Sequence, residues 1–157
     1  MTRRSCGDWQ FSGARIGWRS VDALRDRLIT AVAAGPPARF VALFGSAVTG
    51  KMRPDSDVDL AWLPVDFDLP LVRELDFQVA LTLAAGREVD LVRVDHASTL
   101  CRSEVARNGE LLAGDRASFV RFRAEAICEF LDFEPALREA SELFRRRVAA
   151  QERPDRT

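Results

Sequence analysis

Apolar residues along this chain recur at two different periods, and the switches between them mark the elements. From Val21 to Ala34 the apolar positions Val21, Leu24, Leu28, Ile29 and Val32 follow the spacing of one helix face, and Gly35-Pro36-Pro37 ends it. A short strand is expected from Phe40 to Phe44. The segment "DVDLAWL", Asp57 to Leu63, alternates carboxylates with apolar residues, the period-two pattern of a strand with one polar face, and Pro64 closes it. "LPLVRELDFQVALTLAA", Leu69 to Ala85, reads as an amphipathic helix ending at Gly86, and "REVDLVRV", Arg87 to Val94, repeats the pattern of a strand carrying an acid, here Asp90. "STLCRSEVARNG" gives a further helix with Asn108-Gly109 as its stop. Ala117 to Val148 is a long helical stretch in which Pro135 is expected to force a break or kink. Residues 1 to 18 mix Gly, Arg and scattered aromatics without sustained period, as in a loosely held leader.

The order of helix, strand, strand, helix, strand and further helices predicts an α/β fold, a small sheet with a helical C-terminal flank and both Asp-bearing strands in the same sheet. At 157 residues, 47% of them hydrophobic, the chain suits one domain over 19–157, with a core at about 19–114 and C-terminal helices at about 116–150. No internal repeat or interdomain linker interrupts it.

Charge and rare residues narrow the function. The 23 basic and 24 acidic residues leave a formal charge of -1, so no global field draws the chain to nucleic acid or anionic lipid, and direct nucleic-acid binding is not expected. Cys6, Cys101 and Cys128 fit neither a disulfide framework nor paired ligand spacing, and a single histidine, His96, excludes His-rich metal centres. No run approaches a membrane span and the N-terminus has no compact apolar signal core, so a cytoplasmic protein is expected.

Two phosphate-site spellings overlap in "VALFGSAVTGKMRPDSDVDLAWL", Val41 to Leu63. Gly45, Gly50 and Lys51 give most of a P-loop, but the position after the lysine is Met52, without the hydroxyl that binds magnesium, and Arg53-Pro54-Asp55-Ser56 turns the chain where a helix should open. In the other reading, Asp57 and Asp59 lie two residues apart on a strand, on the same face and about 6.6 Å apart. Facing carboxylates repel unless cations lie between them, and oxygen-only ligands select hard ions such as Mg²⁺. With Asp90 as third carboxylate, two ions about 3.5 to 4 Å apart can serve an in-line displacement at phosphorus. Gly45 and Ser46 can offer a close backbone approach and N–H groups to a triphosphate, and Arg53 can neutralise leaving pyrophosphate.

Gly45-Ser46, three residues, Gly50, two residues, then Arg53-x-Asp55-Ser56-Asp57-x-Asp59-Leu60 resembles the signature of the minimal nucleotidyltransferases of the DNA polymerase β superfamily. The segment "FRAEAICEFLDFEPALREA" from Phe122 looks like the C-terminal helix of MntA-type antitoxins, whose partners are HEPN-domain toxins. The resemblance implies a nucleotidyltransferase-type mixed sheet flanked by helices. It implies AMP transfer from ATP with Mg²⁺, with Asp57, Asp59 and Asp90 as metal ligands and catalytic residues, and Gly45, Ser46 and Arg53 at the nucleotide. The implied acceptor is a tyrosine on a partner HEPN toxin ribonuclease, in a hetero-oligomer with the toxin or beside a homo-oligomer; this chain has no tyrosine of its own. Two rival readings are a transferase acting on a small hydroxylated molecule such as an aminoglycoside, and a non-catalytic antitoxin that neutralises its partner by binding.

Other residues have blander readings. Lys51 reads as a solvated loop charge and His96 as a surface or capping group, while Cys101 and Cys128 read as core thiols. Phe119, Phe122, Phe130 and Phe133 have the spacing of a helix face packed on the sheet. Arg145 to Arg147 read as a solvated helix terminus.

Overall fold

The computed structural model describes residues 18–50, 53 and 56–151, so the leader expected over residues 1–18 lies, apart from the backbone of Trp18, outside the described residues. Among the described residues, four helices and a four-stranded mixed sheet follow one another as α1 (Trp18–Ala34), β1 (Ala38–Phe44), a 3-10 turn (Gly45–Ala47), β2 (Val58–Pro64), α2 (Leu71–Ala85), β3 (Val89–Arg93), α3 (Thr99–Asn108), β4 (Glu110–Gly114) and α4 (Arg116–Gln151). The sheet order is β3-β2-β1-β4. β1 runs antiparallel to both neighbours, whereas β2 and β3 are parallel, with α2 as the crossover that a parallel pair requires.

Period-two alternation gives the sheet two apolar faces. Val41, Leu43, Leu60 and Trp62 pack under Leu24 and Leu28 of α1 and Phe77 and Leu81 of α2. Phe40, Ala42 and Ala61 pack under Val105 and Ala106 of α3 and Phe119, Phe122 and Ala126 of α4. The Phe40 ring lies 5.1 Å from Phe119 and 5.2 Å from Phe122, which fixes the root of α4 on the sheet. Among the described residues no helix is long and apolar enough to cross a membrane.

The structure corrects three expectations. The stretch "ELLAG" forms a fourth strand that its composition does not announce; pairing with β1, from Leu43↔Glu110 to Phe40↔Gly114, overrides weak local propensity. Helix α4 continues through Pro135, so the break that proline could impose does not occur. Proline removes one hydrogen bond, to the Leu131 carbonyl, and since Leu131 is exposed, water can satisfy that carbonyl. Finally, Cys128 is exposed rather than a core thiol, and Cys101 is only partly buried. Of the four phenylalanines, Phe119 and Phe122 are buried, while Phe133 lies beyond the sheet's edge of cover at 38% exposure.

Candidate active site

The site is built where β1 ends and β2 and β3 begin. Phe44, the last residue of β1, pairs with Asp59 on β2, and Asp59 in turn pairs with Asp90 on β3. Asp59 and Asp90 therefore sit side by side on neighbouring strands, both on the face covered by α3 and α4, since they alternate with Val58, Leu60, Val89 and Leu91 of the opposite core. Asp57 falls on the same side by spacing, but it precedes the first residue of β2 and is exposed.

Gly45 makes the next step possible. It turns the chain at φ 67°, and a Cβ placed there would collide with Oδ2 of Asp59. Only glycine fits both the left-handed backbone and this contact. The turn is closed by the Val48 and Thr49 N–H groups, which donate to the Gly45 carbonyl at 3.3 and 3.2 Å, with the Thr49 hydroxyl adding a bond at 3.2 Å. This brings the Ser46 backbone towards the Asp59 carboxylate, whose pKa it acts to lower.

The carboxylates feel one another. Asp59 is held above the ordinary aspartate range, first by burial, then by the charge of Asp90 and then by that of Asp57, with the Ser46 N–H opposing them. Cys101, on the first turn of α3, also faces this field: burial raises its thiol most, followed by Asp90, Glu104 and Asp59. The helical pattern reads Cys101 as a core thiol; that the charges of Asp90 and Asp59 reach it depends on how α3 crosses the sheet, which no local spacing reveals.

Among the described residues, no three His, Cys, Asp or Glu side chains converge as a ready-made cation cage. The donor set still suits a hard cation: three carboxylates and no nitrogen or thiolate ligand required, with Asp59 made costly to ionise by burial and then by its two acidic neighbours. A divalent ion between them would offset the repulsion part of that cost.

The remaining expectations separate cleanly. Lys51 and Met52 lie outside the described residues, but Arg53, Ser56 and Asp57 are non-helical and β2 starts at Val58, so no P-loop helix opens after Gly50. Arg53 is exposed, and its backbone N–H donates to Oγ of Ser56 at 2.9 Å. His96 lies past the far end of β3, its side chain 68% exposed and 3.5 Å from Asp95. Two grooves also lie away from the acids. One, of about 690 Å³, runs between α2 and the start of β3 and is lined by Leu75, Val79, Leu83 and Val89; the other, of about 300 Å³, lies by Arg39, Phe67 and Arg121.

The sequence profile of the family described as polymerase beta, nucleotidyltransferase, matches residues 27–117, more than half of the chain. Among solved structures, a chain of a toxin–antitoxin complex with AMP-PNP is similar at a TM-score of 0.68 and 24% identity, covering 75% of this chain and 95% of that one. A chain of the toxin–antitoxin complex MntA-HepT is similar at a TM-score of 0.64 and 22% identity, over 77% of this chain and 96% of that one. A third similarity is to a complex of tri-AMPylated Shewanella oneidensis HEPN toxin with MNT antitoxin, at a TM-score of 0.65 and 22% identity, over 78% of this chain and 96% of that one. These likenesses show a shared fold. No curated protein matches the chain in sequence.

Proposed function

The chain belongs to the polymerase beta nucleotidyltransferase family, and from that premise we propose that it is an antitoxin that transfers AMP from ATP to a tyrosine hydroxyl of a partner HEPN toxin ribonuclease. The observation that carries this reading is the Asp59↔Asp90 register beside a glycine turn whose backbone meets Asp59. The fold shared with antitoxin chains of MntA-HepT type, over three quarters of the sequence, supports the choice of partner.

In this reading Asp57, Asp59 and Asp90 hold Mg²⁺, two ions in the full site. When bound, Mg²⁺ neutralises the carboxylates and draws electron density from the phosphoryl oxygens. Gly45 lets the triphosphate approach the backbone, Ser46 lies at the phosphates, and the exposed Arg53 offers a cation to departing pyrophosphate. The acceptor oxygen bonds to the α-phosphorus as its bond to pyrophosphate breaks. Asp90, exposed at the rim, takes the hydroxyl proton. A phenol, with a reference pKa near 10, gives up that proton far more readily than an aliphatic alcohol does. With no tyrosine in this chain, the phenol comes from a partner.

The shape of the site favours a protein acceptor over a small one. Asp57 and Asp90 are exposed and neither groove encloses them, so the hydroxyl is best delivered by a docked surface. The outer half of α4 offers the docking face: at 100° per residue, Phe133, Leu137, Phe144 and Val148 fall on one side of the helix, and Phe144 is 68% exposed. Transfer from ATP suits a cytoplasmic site of action. The test is intact mass of the toxin after incubation with this protein, ATP and Mg²⁺. A gain of AMP that disappears with Asp57→Asn supports the reading. Full inhibition of the toxin without mass gain, retained in Asp57→Asn, would replace it with neutralisation by binding alone.

A further inference from the structure

The loop that delivers Asp57 is tied to the start of β3 by one side chain. Nη1 of Arg87 donates to the Arg53 carbonyl at 3.3 Å and to the Ser56 carbonyl at 3.2 Å. Those two residues already close a turn on each other, since the Ser56 N–H donates to the Arg53 carbonyl at 3.1 Å and the Arg53 N–H donates to the Ser56 hydroxyl at 2.9 Å. Arg87 is the first residue after Gly86, where α2 ends, and is half-buried, so its stem is set by the packed helix rather than by the loop.

The consequence falls on Asp57. Its backbone is bounded by two peptide planes, one carrying the Ser56 carbonyl and the other the Val58 N–H. Arg87 holds the first, and the Glu88 carbonyl accepts from the second at 3.0 Å. Two consecutive residues thus fix both planes around the Asp57 Cα, which sets its backbone dihedrals and the direction of its Cα–Cβ bond. Asp57 needs this more than Asp59 does, because Asp59 is held in the ladder on both sides whereas Asp57 lies ahead of β2. A guanidinium is well suited to such a clamp, because it stays charged and its planar donors can bridge two carbonyls.

We infer that Arg87 is a positioning residue for Asp57, aiming its carboxylate towards Asp59 and Asp90 by clamping the Arg53–Ser56 turn. This rests on the reading of Asp57 as a cation ligand. Mn²⁺ binding by the full chain, measured by electron paramagnetic resonance without nucleotide, tests it for the wild type, Arg87→Ala, Arg87→Lys, Asp57→Asn and the double variant Asp57→Asn/Arg87→Ala, beside hydrogen exchange of the 53–58 segment. Arg87→Ala should weaken Mn²⁺ binding about tenfold, as loss of an orienting group around a ligand does, and speed exchange at 53–58. Arg87→Lys, which keeps a charge but not the planar fork, should recover only part of both. In the double variant the Arg87 effect should vanish, because a residue acting through Asp57 has nothing left to aim. Wild-type exchange at 53–58 in Arg87→Ala, or a tenfold Mn²⁺ loss that adds in full to Asp57→Asn, would overturn the inference. Failure of the function reading looks different: a wild-type protein that modifies no toxin while the exchange and binding effects of Arg87 remain as described.

Discussion

Asp59 and Asp90 stand directly opposite each other on neighbouring parallel strands, and the first of them is partly buried. Like charges so placed destabilise a sheet. Asp59 is held above its ordinary value by burial, then Asp90, then Asp57. A carboxyl raised in the folded state ionises more easily when unfolded, so its contribution to stability is full below the unfolded value and is lost as pH climbs through the folded one. Asp59→Asn keeps the size and shape of the side chain and removes the charge. In chelator at pH 7 it should melt about 2 to 5 °C above wild type, and the gap should close as pH falls below about 4. Mg²⁺ should raise the melting temperature of wild type and not of the variant. Melting curves from pH 3.5 to 8 decide; a variant less stable than wild type throughout would contradict burial and repulsion as the origin of the strain.

Gly45 and Gly50 share a left-handed backbone, at φ 67° and 71°, yet differ in surroundings: a Cβ at Gly45 collides with the Asp59 carboxylate, while one at Gly50 meets nothing within 4 Å. Gly50→Ala should therefore cost only the backbone penalty, about 1 to 2 kcal/mol, and leave AMP transfer within a few-fold of wild type. Gly45→Ala pushes Asp59 out of place as well, and transfer should fall about 100-fold, the scale of loss for a catalytic group displaced by about 1 Å. Denaturant melts with labelled ATP assays separate the two. Equal losses of activity in both would show that the turn, not its contact with Asp59, is what matters.

How much of the fold and site is legible in the sequence varies by residue. The β2 strand over Val58–Leu63, the crossover helix and the Asp90 strand follow from period, because burial of one face imposes period two or 3.6 on the chain; Phe40–Phe44 is legible instead as a short apolar run, buried on both faces, and Asp57, expected on the strand, lies just ahead of it. Asp59 and Asp90 can be placed in one sheet, but their register depends on how α2 carries the chain back, a tertiary matter. β4 is hidden because its residues carry little strand preference and owe their form to β1. The continuous α4 is hidden for the opposite reason: proline is a strong local signal, overridden where the lost bond faces water. Arg87 leaves no trace in pattern, since an arginine before a strand has many uses and its two carbonyl partners lie over 30 residues away.

The overlapping P-loop spelling yields a sharp contrast. Arg53, Ser56 and Asp57 are non-helical, so no P-loop-type helix follows Gly50 among the described residues. Lys51→Ala should reduce ATP binding and AMP transfer only a few-fold, while Asp59→Asn should bring transfer to background. Equilibrium binding of a fluorescent ATP analogue, read beside transfer, tests this. Loss of nucleotide binding in Lys51→Ala with full transfer in Asp59→Asn would restore the P-loop.

In the proposed function docking and chemistry fall on different parts of the molecule, and they should be separable. The acids lie at the end of the sheet where β2 and β3 begin, whereas Phe144 lies far along α4, well past the buried Phe119, Phe122 and Ala126 that root the helix. An exposed aromatic at the centre of an apolar stripe is the sort of residue on which an interface depends, and truncating one costs about 2 kcal/mol or more, some 30-fold in affinity. Phe144→Glu adds a charge that an apolar contact would bury unpaired. It should weaken the complex with the HEPN toxin by at least that factor, leave melting temperature and ATP binding unchanged, and slow AMP transfer at low toxin concentration with recovery at high. Asp57→Asn should show the converse, binding the toxin as tightly as wild type and transferring nothing at any concentration. Calorimetric titration with the toxin and intact-mass time courses give both readings. Wild-type toxin affinity in Phe144→Glu would remove α4 as the docking face, whatever the acids do.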